Sequence, residues 1–266
     1  MTMMDESTHP LRTPERAAGD LPQSVAVVGA GRLGTALAAA LRAAGAAVRG
    51  PLGRGVWEEA DAVVLCVPDS EIRSAAAAVA GAAPLVGHTS GATGLGALEP
   101  ARAAAFGIHP LQTFAGGDPP ERFLGAGCAV AGSTSHALEA ASAIAARVGM
   151  RPFPIHDHDR PAYHAAASIA SNFLVTLQSA AEEAAAAAGI EPEDARALLA
   201  PLVRATVENW AVLGPERALT GPVARGDEAT VAAQREALAV SAPHLLPLFD
   251  ELAERTRALA GRAAPA

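Results

Sequence analysis

The chain has 266 residues, enough for one large domain or two modest ones, and 50% of them are hydrophobic while only 3% are aromatic. Its formal net charge of −8 at pH 7 argues against a nucleic-acid surface and against attraction to an anionic membrane. All 20 of its Lys-plus-Arg residues are Arg, so a Walker phosphate loop, a Schiff-base lysine and a lysine general acid are excluded.

Residues 1–22 hold Asp5, Glu6, Arg12, Glu15, Arg16 and several prolines, without a basic start followed by an apolar stretch. This reads as a disordered tail and not as a secretory signal. Val25-Ala26-Val27-Val28 then forms a candidate buried strand, Gly29-Ala30-Gly31-Arg32-Leu33-Gly34 follows, and a helix with Leu33, Leu37 and Leu41 on one stripe opens. A G-x-G-x-x-G between strand and helix is a dinucleotide-binding signal. Gly29 permits the tight turn, Gly31 lets backbone approach a pyrophosphate, and Gly34 lets the helix pack against the strand. The helix N-terminus supplies N–H groups for the phosphates.

The second strand is expected near Ala46–Arg49. An NAD-binding protein places a carboxylate at the end of that strand for the ribose 2′-OH. Here Val48-Arg49-Gly50-Pro51-Leu52-Gly53-Arg54 contains none, and the next acid is Glu58. Arg32, Arg49 and Arg54 are available for a 2′-phosphate instead, which predicts NADP(H); the competing reading is that they are solvated surface arginines.

Further strands are predicted over Asp61–Val67, Pro84–Thr89, Ala103–His109, Cys128–Ala131 and Arg151–Ile155, with helices over Glu71–Ala80 and Ser135–Val148. Alternation of strands and helices predicts an α/β fold with a doubly wound parallel sheet. Val67-Pro68-Asp69, Thr89-Ser90-Gly91 and His109-Pro110 fall at carboxyl ends of strands and are expected to line one cleft. Cys66 and Cys128 lie in apolar runs and read as core thiols, so nothing demands an oxidising compartment and a cytoplasmic location is expected.

From Asp159 onward the patterns are helical: Arg160–Ala188, Pro192–Leu213, Asp227–Ser241 and Pro243–Ala260. The predicted organisation is a tail at 1–22, a dinucleotide-binding domain at 23–157 and a helical domain at 158–266. His156 and His158 read as part of a polar linker that caps the next helix, not as a metal site. Ala162 to Ala181 carries no formal charge and is expected to be buried, yet His164, Ser168 and Asn172 recur at i, i+4 and i+8. That polar stripe either lines a wet cleft or is satisfied locally by back-bonding to carbonyls. In the loop Leu219–Asp227, Arg225 is a candidate clamp for a substrate carboxylate, with Asp227 as the cap of the following helix.

A Rossmann domain followed by helices resembles the group that holds 6-phosphogluconate and β-hydroxyacid dehydrogenases and ketopantoate and pyrroline-5-carboxylate reductases. Gly29–Gly34, Cys66-Val67-Pro68-Asp69, His88-Thr89-Ser90-Gly91, His109-Pro110-Leu111-Gln112-Thr113-Phe114, Tyr163-His164-Ala165-Ala166-Ala167-Ser168 and Gly221–Asp227 look closer to one bacterial family. It is described as a Rossmann-like domain joined to a C-terminal domain of unknown function. The resemblance implies an NADP-linked oxidoreductase acting on a small molecule, often dimeric through its helical domain. Cofactor contacts are expected at Gly29, Gly31, Arg32, Leu33, Gly34, Arg49, Arg54, Val67, Pro68 and Ser90, and substrate contacts at Gln112, Tyr163 and Arg225.

In the β-hydroxyacid and ketopantoate enzymes a Lys and an Asn stand four residues apart on the first helix after the Rossmann domain. Asn172 matches that Asn, but Ser168 stands where the Lys would be. Another group must then donate a proton. His109 and His164 are the candidates by their titration range, although His109 also reads as a cap on the Pro110 turn. Tyr163, the only tyrosine, is either a donor or an aromatic anchor. The expected reaction is hydride transfer from NADPH to a ketopantoate-like 2-oxo acid, with a cyclic imine as second choice. A non-catalytic NADP-binding regulator is the rival class, and reduction with a deazaflavin partner is a third.

Overall fold

The computed structural model describes residues 22–53 and 55–263. The predicted tail therefore lies, but for Pro22, outside the described residues, as does Arg54. The chain divides into two compact units, Met1–Ser168 and Ile169–Ala266.

The first unit is built on a seven-stranded sheet among the described residues: β1 (Ser24–Val28), β2 (Ala47–Leu52), β3 (Ala62–Leu65), β4 (Leu85–His88), β5 (Ala104–Pro110), β6 (Gly127–Gly132) and β7 (Arg151–Pro154). Their order is β2-β1-β3-β4-β5-β6-β7. Helices α1 (Arg32–Ala43) and α3 (Ser135–Arg147) cover one face, where Leu37, Leu41, Ala141 and Ile144 pack on Val25, Val27, Val64 and Ile108. Helix α2 (Ile72–Ala78) covers the other, with Ile72 and Ala76 against Ala26, Val63, Leu65 and Val86. Strands covered on both faces read as unbroken apolar runs, which is why β1 and β3 were legible in the sequence.

The sheet is not wholly parallel. β1 to β5 run parallel, but β6 is antiparallel to β5, and β7 parallels β6. A parallel return needs a crossover of a dozen or more residues, usually a helix. Between β5 and β6 the chain has only a short 3-10 turn at Pro120–Phe123, so it turns straight back. The order reverses between β1 and β3, which makes their carboxyl ends the place where such sheets bind ligands.

Helix α4 (Arg160–Ala170) contains the boundary between the two units, which falls after Ser168. The single helix expected over Arg160–Ala188 is broken at Ser171, whose φ of −119° and ψ of −69° depart from helical values, and α5 (Asn172–Ala186) starts anew. The Ser-Asn pair offers the backbone competing hydrogen bonds, which weakens a helix interior. His164, Ser168 and Asn172 therefore do not share one helix.

The second unit continues with α6 (Pro192–Leu213), α7 (Pro215–Ala218), α8 (Glu228–Ser241) and α9 (Leu246–Ala263). Bidentate pairs join α5 to α6 (Arg196 to Glu182) and α8 to α9 (Arg235 to Asp250, Arg257 to Glu228). The expected burial of the uncharged stretch is not met: α5 has no buried residue, and Ile169, Phe173 and Val175 are 63%, 56% and 70% exposed. Lack of charge there marks an apolar face that this chain leaves uncovered. Among the described residues no helix is long and apolar enough to cross a membrane.

Candidate functional site

Gly29 turns the chain at the end of β1 with φ of 113°, a value that L side chains rarely adopt, and its N–H donates to the Leu52 carbonyl at 2.8 Å. A Cβ on Gly29 would collide with the Cys66 carbonyl, and one on Gly34 with the Gly29 carbonyl. By contrast, nothing lies within 4 Å of where a Gly31 Cβ would stand. Two glycines are thus required by packing, while the third faces open space. Gly31 is the N-cap of α1, no side chain caps that helix, and its first turn holds no acid. The leading N–H groups of Arg32, Leu33 and Gly34 lack intrahelical partners and form an anion-accepting end. Arg32 is exposed, lies beside Gly116, and makes no ion pair among the described residues.

The arginines beyond the fingerprint are placed differently from expectation. β2 runs on to Leu52, through a register shift opposite Ala26–Val28, so Arg49 sits mid-strand opposite Ala26 and not at the carboxyl end. Its guanidinium meets Glu58 at 3.4 Å, with both side chains about half exposed (47% and 48%). Short-range pattern could not show the extra turn of strand, because Gly50-Pro51 reads as a breaker.

Register aligns the carboxyl edge. Val28 pairs with Leu65, Leu65 with His88, and His88 with Gly107. Val67 and Pro68 follow β3 at this edge, half-buried and exposed respectively. The Ser90 hydroxyl donates to Asp69 Oδ2 at 2.7 Å and accepts from the Ala92 and Thr93 N–H groups at 3.2 and 2.9 Å. It staples the turns after β3 and β4 together, which leaves it little capacity for a cofactor.

One level further out, His109 Nδ1 lies 2.5 Å from the Tyr163 hydroxyl, their rings edge to face at 5.5 Å. The His164 ring is 6.1 Å from that of His109. Gly91 is pressed against both: a Cβ there would stand 2.8 Å from His109 Nε2 and 2.9 Å from His164 Cδ2. Burial, with His164 and Arg160 nearby, pushes His109 down to about 4. Burial pushes the Tyr163 phenol up. Both groups are therefore neutral at pH 7, and His109 is a hydrogen-bond partner there, not an imidazolium. Ser168 is half-buried one turn beyond His164.

Other expected contacts are occupied or lie elsewhere. Gln112 donates to the Arg122 carbonyl at 3.1 Å and accepts from Thr113 N–H at 2.8 Å, so it shapes its own loop. Asn172 and Arg225 belong to the second unit, both exposed. Asp227 caps α8 as expected, accepting from Thr230 N–H at 3.1 Å. His156 and His158 stack at 5.5 Å, and the linker acid Asp157 accepts from Leu95 N–H and from Arg160 Nε. Burial pushes the thiols of Cys66 and Cys128 up to about 12, so both are inert.

Sequence reasoning missed the charged floor of this edge. Arg160 is 2% exposed and His88 is wholly buried. His88 Nδ1 accepts from Ser90 N–H at 3.2 Å, which places its proton on Nε2. Burial and the Arg160 charge push His88 down to about 4, against a partial pull from the Gly94 carbonyl. A lone Arg at the start of a helix gives no sequence signal of burial, since arginines are mostly exposed.

Residues 126–256 match a family described as a domain of unknown function, DUF2520. The DUF2520 match begins just before β6 and runs into α9, so it spans parts of both units. No curated protein matches the chain. Among solved structures, protein TM1727 of Thermotoga maritima is 25% identical with a TM-score of 0.72, over 90% of this chain and 98% of that one. A proposed NADP oxidoreductase, BF3122 of Bacteroides fragilis, is 21% identical with a TM-score of 0.74, over 88% and 98%. The NADP-bound pyrroline carboxylate reductase of Plasmodium falciparum is 13% identical with a TM-score of 0.57, over 89% and 98%. These structures share the fold of a Rossmann-like sheet with a helical C-terminal region.

Proposed function

We propose that the chain is an NADP(H)-dependent oxidoreductase acting on a small carbonyl substrate, a 2-oxo acid of the ketopantoate kind. The observation that carries this reading is the uncapped, acid-free N-terminus of α1, open at Gly31, at the strand-order reversal. The backbone N–H groups after Gly31 would hold a pyrophosphate, and exposed Arg32 would face its negative charge. A bound nicotinamide would supply the hydride. His109 and Tyr163 would hold a proton at the same edge of the sheet, with Tyr163 Oη donating to His109 Nδ1 and His109 Nε2 turned toward Gly91. By their chemistry, Ser168 in the first unit, and Asn172 and Arg225 in the second, are proposed as substrate-binding groups, Arg225 for a carboxylate. Similarity to structures of an NADP oxidoreductase and an NADP-bound reductase supports the choice of cofactor.

A cyclic imine is the second substrate class, supported by the fold shared with a pyrroline carboxylate reductase. The neutral state of His109 keeps a non-catalytic NADP-binding regulator as the rival class, since it supplies no imidazolium at pH 7. The exposed Ile169, Phe173 and Val175 support a homodimer through the helical unit. Two free, inert thiols support a cytoplasmic setting. Screening 2-oxo acids and cyclic imines for NADPH oxidation tests the reading. Turnover of a 2-oxo acid is expected; binding of NADPH with no turnover of either class would favour the regulator.

A further inference from the structure

Arg160 opens α4 with its guanidinium almost wholly buried, so its charge has to be met inside the protein. Nε donates to Asp157 Oδ1 at 2.7 Å, and Nη1 donates to the Ser90 carbonyl at 3.2 Å. Nη2 lies against β5, 3.0 Å from where a Gly107 Cβ would stand, and finds no hydrogen-bond partner among the described residues. The second Asp157 oxygen accepts from Leu95 N–H at 2.8 Å. One guanidinium thus ties the start of α4 to the turn after β4. That turn includes Gly91, which fills the space beside His109 and His164.

Tyr163 and His164 follow Arg160 by three and four residues, so all three share one face of α4. Fixing Arg160 fixes the rotation of that face. We propose that Arg160 is a positioning residue that sets α4 against the β4–β5 edge so that the Tyr163 hydroxyl meets His109 Nδ1. The fork geometry is what the task needs: two separate donors reach two separate chain segments, which a lysine ammonium on a flexible stem does not fix in direction. The charge of Arg160 acts in the same direction, since it disfavours a proton on His109. The groups around the His109 ring are Tyr163 and His164 from α4, His88 from β4, Asp69 after β3 and Arg160 itself, while the Cys128 thiol of β6 meets only the His109 backbone.

The inference takes the His109–Tyr163 pair from the proposed function, but its test needs neither substrate nor cofactor. Tyr163 is the only tyrosine, so the full chain made with a fluorinated tyrosine gives one fluorine NMR resonance. In the unsubstituted chain that resonance is expected away from its denatured position. Arg160→Gln is expected to move it toward the denatured position, and to raise the imidazole titration that it follows by roughly one pH unit. Arg160→Lys, which keeps charge without the fork, is expected to move the resonance and leave the titration low. An Arg160→Gln chain with native circular dichroism and an unmoved resonance overturns the proposal. If that variant does not fold, unmoved resonances in both Arg160→Lys and Asp157→Asn overturn it. NADPH affinity is expected to be unchanged in these variants; an unsubstituted chain that fails to bind NADPH counts against the proposed function and leaves Arg160 unaffected.

Discussion

The Tyr163 hydroxyl of α4 lies 2.5 Å from Nδ1 of His109, near the carboxyl end of β5. Both partners are neutral at pH 7, because burial lowers the imidazole and raises the phenol. The pair can pass a proton but does not store a charge. Tyr163→Phe and His109→Ala are each expected to lower kcat on the identified substrate by about 10²-fold, the lower end for a lost general acid. NADPH affinity, measured by calorimetry, should stay within about twofold.

The glycines of the fingerprint separate packing from binding. Gly34→Ala places a methyl group on the Gly29 carbonyl and is expected to cost about 1–3 kcal/mol of stability, seen in chemical denaturation. Gly31→Ala meets nothing within 4 Å and should leave stability within about 0.5 kcal/mol. Its expected effect is weaker NADPH binding, since the added methyl occupies the approach to the helix N-terminus. A Gly31→Ala chain with unaltered NADPH affinity would show that no pyrophosphate passes there.

Acid should loosen the first unit through His88. Its folded value of about 4 lies below the ordinary 6.5. Between those values the unfolded chain takes up a proton that the folded chain refuses, so stability falls as pH falls through that window. The full loss is about 3 kcal/mol, reached near the folded value. His88→Asn is expected to flatten this part of the stability–pH curve; an unchanged slope would remove His88 as its source.

Phe173 and Val175 on α5 provide a test of assembly. Both are more than half exposed, at 56% and 70%. Replacing both with Asp is expected to convert a dimer to a monomer in sedimentation velocity, with little change in the circular dichroism spectrum. A monomeric unsubstituted chain would remove the proposed interface.

The strands and the fingerprint were legible because their signals are local. β1 and β3 are continuous apolar runs, and the glycine spacing encodes one turn. The antiparallel return of β6 was not legible, because it depends on the absence of a crossover helix and not on residues within β6. The end of β2 was misplaced for a similar reason: Gly50-Pro51 looks like a stop, yet the pairing of Leu52 with Val28 carries the strand through it. His109, His164 and Tyr163 were chosen from sequence, and the structure brings them together. Arg160 was not, because its burial arises from contacts with Ser90 and Asp157 that join segments 70 and 3 residues away.

The open N-terminus of α1 is proposed to hold NADP(H). Calorimetric titration of the purified full chain with NADPH and with NADH tests it most directly. Tighter binding of NADPH, weakened by Arg32→Ala to near the NADH value, is the predicted result. Tighter binding of NADH, or binding of neither, would contradict it.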